Sequence, residues 1–144
     1  MSFRKSLLVF AMIIASTNAL AKEVTLTDSQ KENIKHAVRI AKKDGNKHPD
    51  LLVGVLMQES RLGEAKKYRV AGSVEKYYGL GQVKLRAAKE ILKEYPSLYS
   101  FLPNRSDFEI IKAMKNNSVF AVELASKYLI MLGINKNPAF AITA

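Results

Sequence analysis

The sequence predicts a mainly α-helical protein built as one domain, and three observations predict it. Apolar residues recur at three- and four-residue spacing in five separate stretches, the period of a helix with one buried face. Glycine and proline fall between those stretches rather than inside them, apart from Gly54. The chain has 144 residues, 48% of them hydrophobic and 25% charged, which is enough to bury one core without disulfides and too balanced for wholesale disorder. No internal repeat, low-complexity tract or second domain interrupts the pattern.

The N-terminus reads separately. Arg4 and Lys5 precede an apolar run over 7–15, and Ala19-Leu20-Ala21 places small residues at the two positions a signal peptidase reads. Residues 1–21 are therefore expected to be a signal peptide, leaving 22–144 as the working domain. The apolar run is shorter than the roughly 20 residues a membrane span needs, so no permanent membrane anchor is expected. Cleavage would remove two of the 23 basic residues and none of the 13 acidic ones, taking the net charge from +10 to +8. Such an excess favours a polyanionic neighbour: nucleic acid, anionic lipid or an acidic wall polymer. Export makes nucleic acid the poorest of the three, and the periplasm, or secretion, the expected destination. The chain has no cysteine, so redox reasoning adds nothing.

In chain order, Thr27 and Gln30 have the spacing of a capping box that opens a first helix reaching about Lys43, with Ile34, Ala37, Val38 and Ala41 on one face. Asp44-Gly45-Asn46 ends it. Pro49 and Asp50 suit the first turn of a second helix, which should run to Leu62 and stop at Gly63. Residues 65–78 show no period and read as a long surface loop, with a short strand around 68–70. A third helix is expected over 85–94, with Ala88, Ile91 and Leu92 inward and Pro96 after its end. A turn over 103–106 precedes a short helix over 108–114. The last helix spans 118–132, with Gly133 as its stop.

The second helix holds the decisive residue. Leu52, Val55 and Leu56 form a stripe at the i, i+3, i+4 spacing, and the i+7 position is Glu59. At about 100° per residue, Glu59 lies within roughly 20° of Leu52 around the helix. A carboxylate directed at the interior or a cleft has its charged form disfavoured, so its pKa should rise, and a protonated glutamic acid can donate to a glycosidic oxygen. The bland alternative is a structural ion pair with a lysine or arginine. Gly79-Leu80-Gly81-Gln82 adds two glycines that let backbone approach a ligand and an amide with donors and acceptors. Without a G-K-S/T ending it is no phosphate loop.

Met57-Gln58-Glu59-Ser60 followed by Tyr78-Gly79-Leu80-Gly81-Gln82 resembles the lytic transglycosylases of the soluble-transglycosylase, lysozyme-like family, in which a helix ends in Glu-Ser and a Gly-Leu-(Met or Gly)-Gln segment follows a loop. Residues 51–92 carry most of the likeness, and the 118–132 helix with Tyr128-Leu129 resembles the later helix behind the family's cleft. The resemblance implies a lysozyme-like helical domain with a cleft between helices and a long loop after the catalytic helix. It implies cleavage of the bond between N-acetylmuramic acid and N-acetylglucosamine in peptidoglycan, with Glu59 as acid and base and a 1,6-anhydro end as product. Ser60 would orient substrate, Gly81 and Gln82 would line the sugar cleft, and no metal or cofactor would take part.

Ordinary glycosidases flank the bond with two carboxylates. No aspartate lies between Asp50 and Asp107, and Glu64 and Glu75 are the only acids between Glu59 and the Gly-Leu-Gly-Gln segment. That scarcity suits a one-carboxylate transglycosylase better than a hydrolytic muramidase, although Glu75 could reach a cleft from its loop. The family also commonly has an Ala-Tyr-Asn segment on a late helix, its tyrosine facing the glutamate. Here the sequence reads Ala139-Phe140-Ala141-Ile142-Thr143-Ala144. Either the chain is a truncated form of the domain, or Tyr128 or Tyr78 takes that tyrosine's place.

His36 and His48 are isolated and read as surface residues rather than metal ligands. Lys66, Lys67, Arg69 and Lys76 are a solvated face or an attraction for the anions of the wall. Tyr77 and Tyr78 either stack on sugars or cover helix ends. Two rival functions remain open: a wall-binding scaffold of the same fold without activity, and a basic membrane-active or nucleic-acid-binding protein. Small enzymes of this family often serve a secretion, conjugation or pilus apparatus, which is the partner class the resemblance implies.

Overall fold

The computed structural model describes residues 25–64 and 76–139. The signal-peptide reading of 1–21, most of the expected loop with Glu75 and the 68–70 strand, and the segment from Phe140 onward lie outside the described residues. What is described is mainly α-helical, and no helix in it is long and apolar enough to cross a membrane.

Helix α1, Asp28–Asp44, opens on the capping box: the Gln30 amide donates to Thr27 Oγ1 at 3.2 Å, and the Thr27 amide donates to Gln30 Oε1 at 2.9 Å. It closes at Gly45 in the left-handed region (φ 73°), with the Asn46 amide returning to the Ala41 carbonyl at 2.9 Å. Its inward face holds Asn33, Ala37, Ile40 and Ala41. Helix α2, Pro49–Ser60, starts with proline in its first turn, where the missing N–H costs nothing. It ends two residues before Leu62, short of the expected stop. Arg61 (φ 49°) and Leu62 (φ 56°) are both left-handed, and Gly63 follows at φ 99°.

Tyr77–Tyr78 (β1) pairs antiparallel with Val83–Lys84 (β2), so the expected loop ends in a hairpin whose turn is Gly79-Leu80-Gly81-Gln82. Helix α3, Leu85–Glu94, matches the expected bounds and buries Ala88, Ile91 and Leu92. Proline then starts a 3-10 helix, Pro96–Phe101, where the sequence pattern predicts only a break after α3. Helix α4, Asp107–Asn116, is capped by the Ser106 hydroxyl, and α5, Ser118–Met131, by the Asn117 side chain.

Helix α5 is apolar around nearly its whole circumference and buries every residue from Phe120 to Ser126, as a central helix must. One core cluster joins Leu52 and Leu56 of α2, Leu62, Leu80 of the hairpin turn, and Ala121, Val122, Ala125 and Leu129 of α5 to the α1 face. A second joins α3, the 3-10 helix and α4 to Phe120 and Leu124. Truncating Leu56 to alanine would leave a cavity in the first cluster at a cost of about 2–5 kcal/mol.

Candidate functional site

Glu59 stands on the final turn of α2, one and two turns beyond the fully buried Leu56 and Leu52. Its carboxyl is half-buried, and burial pushes its pKa above the ordinary 4.5. Among the described residues burial is the cause, and no charged group contributes. The structural ion pair that the sequence left open is thus not formed by the described residues. Other acids differ. Glu109 faces Lys112 at 3.6 Å on the rim of a groove of about 270 Å³, whose apolar lining includes Phe101, Leu102, Pro103 and Ala113. That groove shares no lining residue with the sequence-derived site. Glu64 accepts from the Thr27 hydroxyl at 2.7 Å, an exposed bond to the start of α1.

Ser60 is 1% exposed. Its hydroxyl donates to the Leu56 carbonyl at 3.2 Å and accepts from the Gly63 amide at 3.0 Å. Both bonds close the end of α2, so in this structure Ser60 shapes the turn beneath Glu59. The turn is held both from within α2 and from α1. The Arg61 and Leu62 amides return to the Met57 and Leu56 carbonyls at 2.9 and 3.0 Å. From α1, the Gln30 side-chain amide donates to the Arg61 carbonyl at 2.9 Å, and the Asn33 amide donates to the Leu62 carbonyl at 2.8 Å. Two adjacent non-glycine residues in the left-handed region cost on the order of 1–2 kcal/mol each. Each hydrogen bond returns about 0.5–1.5 kcal/mol, so a fastening of this many bonds is what the conformation needs to persist.

Neither Asn33 nor Gln30 was singled out in the sequence for this role. The signal for Asn33 was present: it precedes Ala37, Ile40 and Ala41 at the i, i+4, i+7, i+8 positions of a buried face, the same anomaly that marks Glu59.

The hairpin turn meets protein on both glycines. A Cβ on Gly79 would stand 2.1 Å from the Met114 carbonyl oxygen, and Gly79 is left-handed at φ 71°. A Cβ on Gly81 would stand 2.9 Å from the Ala125 Cβ. These glycines let the turn lie against α4 and α5, and that contact requires glycine whatever else the turn does. Gln82 is buried with a left-handed backbone (φ 46°), its side-chain amide donating to the Gly79 carbonyl at 2.8 Å across the turn.

Tyr78 is half-buried against the second core, whereas Tyr77 carries the Lys84 ammonium 5.2 Å above its ring. Tyr128 is partly exposed on α5, within about 20° of Ala121 around the helix, and hence on the face that receives the hairpin glycines. The structure thus gathers α2's end, the hairpin turn and α5 on one core, with Glu59 at α2's end and Tyr128 on α5's hairpin-facing side. Among the described residues no cluster of three histidine, cysteine or carboxylate side chains is arranged to hold a metal.

Comparison with protein-family models, with curated proteins and with solved structures finds no match to this chain.

Proposed function

We propose that this chain is a peptidoglycan lytic transglycosylase of lysozyme-like architecture that works on glycan strands in the periplasm. The observation that carries the reading is Glu59: an acid on an apolar helix face, half out of water, with its pKa raised by burial. It is supported by the motif pair Glu59-Ser60 and Gly79-Leu80-Gly81-Gln82: Leu52 and Leu56 of the helix that ends in the first share one core with Leu80 of the turn that forms the second.

In the proposed reaction, the protonated Glu59 donates to the oxygen linking C1 of N-acetylmuramic acid to C4 of N-acetylglucosamine. The C1–O bond breaks, and positive charge develops on the muramic ring. The Glu59 carboxylate then takes the proton of the muramic 6-hydroxyl, whose oxygen bonds to C1. A 1,6-anhydro end forms, Glu59 is protonated again, and no water is consumed. One carboxyl in two roles explains why a raised pKa matters: it must be acid first and base second near neutral pH. Tyr78 and Tyr128 are the proposed sugar-facing aromatics, and a secretion, conjugation or pilus apparatus is the proposed setting.

Purified peptidoglycan incubated with the protein should release muropeptides with anhydro ends, seen as products lighter by one water in mass spectrometry. Reducing ends would indicate a hydrolytic muramidase instead. Glu59→Gln should lower the rate about 10³-fold, within the range of a lost general acid. A protein that releases nothing from sacculi, or a Glu59→Gln variant as active as the parent, ends the proposal.

A further inference from the structure

We infer that Asn33 is a positioning residue for Glu59: by holding the Leu62 carbonyl it keeps the end of α2 in its left-handed turn and so sets where the Glu59 carboxyl points. The catalytic part of this inference rests on the function proposed above; the conformational part does not.

Local preference alone argues for a different ending. Arg61 and Leu62 are good helix formers followed by a glycine, so α2 read in isolation continues through Leu62 and stops at Gly63. The structure instead turns at Ser60 and places two non-glycine residues in the left-handed region. Something outside α2 selects the less favoured ending. The bonds from Arg61, Leu62 and Gly63 back to Met57, Leu56 and Ser60 stay within the helix end and cannot fix it against α1. Three bonds come from α1, from Thr27, Gln30 and Asn33, spaced by three residues.

Those three are unequal. Thr27 to Glu64 and Gln30 to Arg61 are exposed, and water can replace either partner. Asn33 is 5% exposed and Leu62 is fully buried, so water cannot take over the bond between them. Without the Asn33 amide, the turn would leave a buried carbonyl unsatisfied, and continuing the helix would move that carbonyl away. Glu59 lies three residues before Leu62 on the same turn of chain, so a change of ending re-aims its carboxyl and alters how far it is buried.

The test compares the full chain with Asn33→Leu and, should that variant fail to fold, with Asn33→Asp, whose carboxylate offers no donor until it is protonated. All measurements are made well below each variant's melting temperature. The backbone 13Cα shifts of Arg61 and Leu62 should move to helical values in Asn33→Leu. The Glu59 carboxyl titration should move from its raised position. On peptidoglycan, kcat should fall about tenfold to a hundredfold, with KM changed by less than about threefold. In Asn33→Asp, the left-handed shifts should return as the pH is lowered through the new carboxyl's titration. A variant that melts earlier but keeps left-handed Arg61 and Leu62, an unmoved Glu59 titration and full kcat would show that Asn33 merely stabilises the fold, and the inference would be wrong. If the parent protein cleaves nothing, the enzymatic reading fails by itself, and the shifts and the Glu59 titration still decide whether Asn33 positions that carboxyl.

Discussion

Glu59 and Glu123 are both glutamates on apolar helix faces, and the molecule treats them in opposite ways. Glu123, on α5, is 2% exposed and takes an ion pair from Lys43 at the end of α1. Beside it in sequence, Lys127 pairs with Asp44 at 2.8 Å and lies 4.7 Å over the Tyr95 ring. The junction of α1 with α5 therefore neutralises its acids with cations. At the end of α2, Glu59 has burial but no cation among the described residues, and its proton is held more tightly as a result. Burial of a carboxyl therefore does not by itself fix its role. Pairing converts it into a fastening between helices; burial without a partner raises its pKa.

The largest effect expected from breaking that contrast comes from Lys127→Met, which would leave the Asp44 carboxyl, 1% exposed, without its cation. Urea unfolding should show a loss of about 2–4 kcal/mol. A loss below about 0.5 kcal/mol would place this pair with surface bridges of little worth. The converse experiment supplies Glu59 with what it lacks. Val55→Lys sets a cation one turn before Glu59 on the same face and should lower the Glu59 pKa. Carboxyl NMR would follow it, and peptidoglycan cleavage near neutral pH should fall in parallel. Cleavage unchanged at the lowered pKa would mean that the raised proton affinity is not what the reaction uses.

A smaller effect belongs to stability. Glu59 binds its proton more tightly folded than unfolded, so folding favours the protonated form. That contribution is fully present below the ordinary pKa of 4.5 and is lost as pH rises through the folded value. Glu59→Gln removes the dependence. It should melt higher than the parent at pH 8, and the gap should close as pH falls below 4.5. Parallel melting curves across that range would mean that Glu59 has the same proton affinity folded and unfolded.

Much of this was legible in the sequence where the causes are local. The Thr27 and Gln30 capping box, Gly45, the bounds of α3 and the start of α5 follow from residues within a few positions of each other. So does the place of Glu59 on its stripe, because helical period is a short-range signal. What was missed depends on distant partners. Two-residue strands are too short to show a period, so the hairpin leaves no mark in the sequence pattern. Nothing near the glycines at 79 and 81 reveals that Met114 and Ala125 lie against them. The lysines that neutralise Glu123 and Asp44 sit 80 and more residues away along the chain.

The end of α2 likewise depends on a partner distant in sequence. Arg61 is exposed and left-handed at φ 49°, a conformation that costs an L residue on the order of 1–2 kcal/mol and glycine almost nothing. Arg61→Gly should relieve that strain, while the added freedom of glycine in the unfolded chain offsets part of the gain. A net stabilisation of about 0.5 kcal/mol is the expected balance, read as a small rise in urea midpoint with an unchanged slope. Because glycine also weakens the competing choice of a longer helix, the variant should hold Leu62 against Asn33 at least as firmly as the parent and leave the Glu59 titration in place. A destabilised Arg61→Gly would mean that the arginine side chain contributes more than its backbone strain removes. The turn would then owe its shape to Arg61 as much as to α1, and Glu59 would be aimed by its own neighbour instead of by a helix 26 residues earlier in the sequence, counting from Asn33.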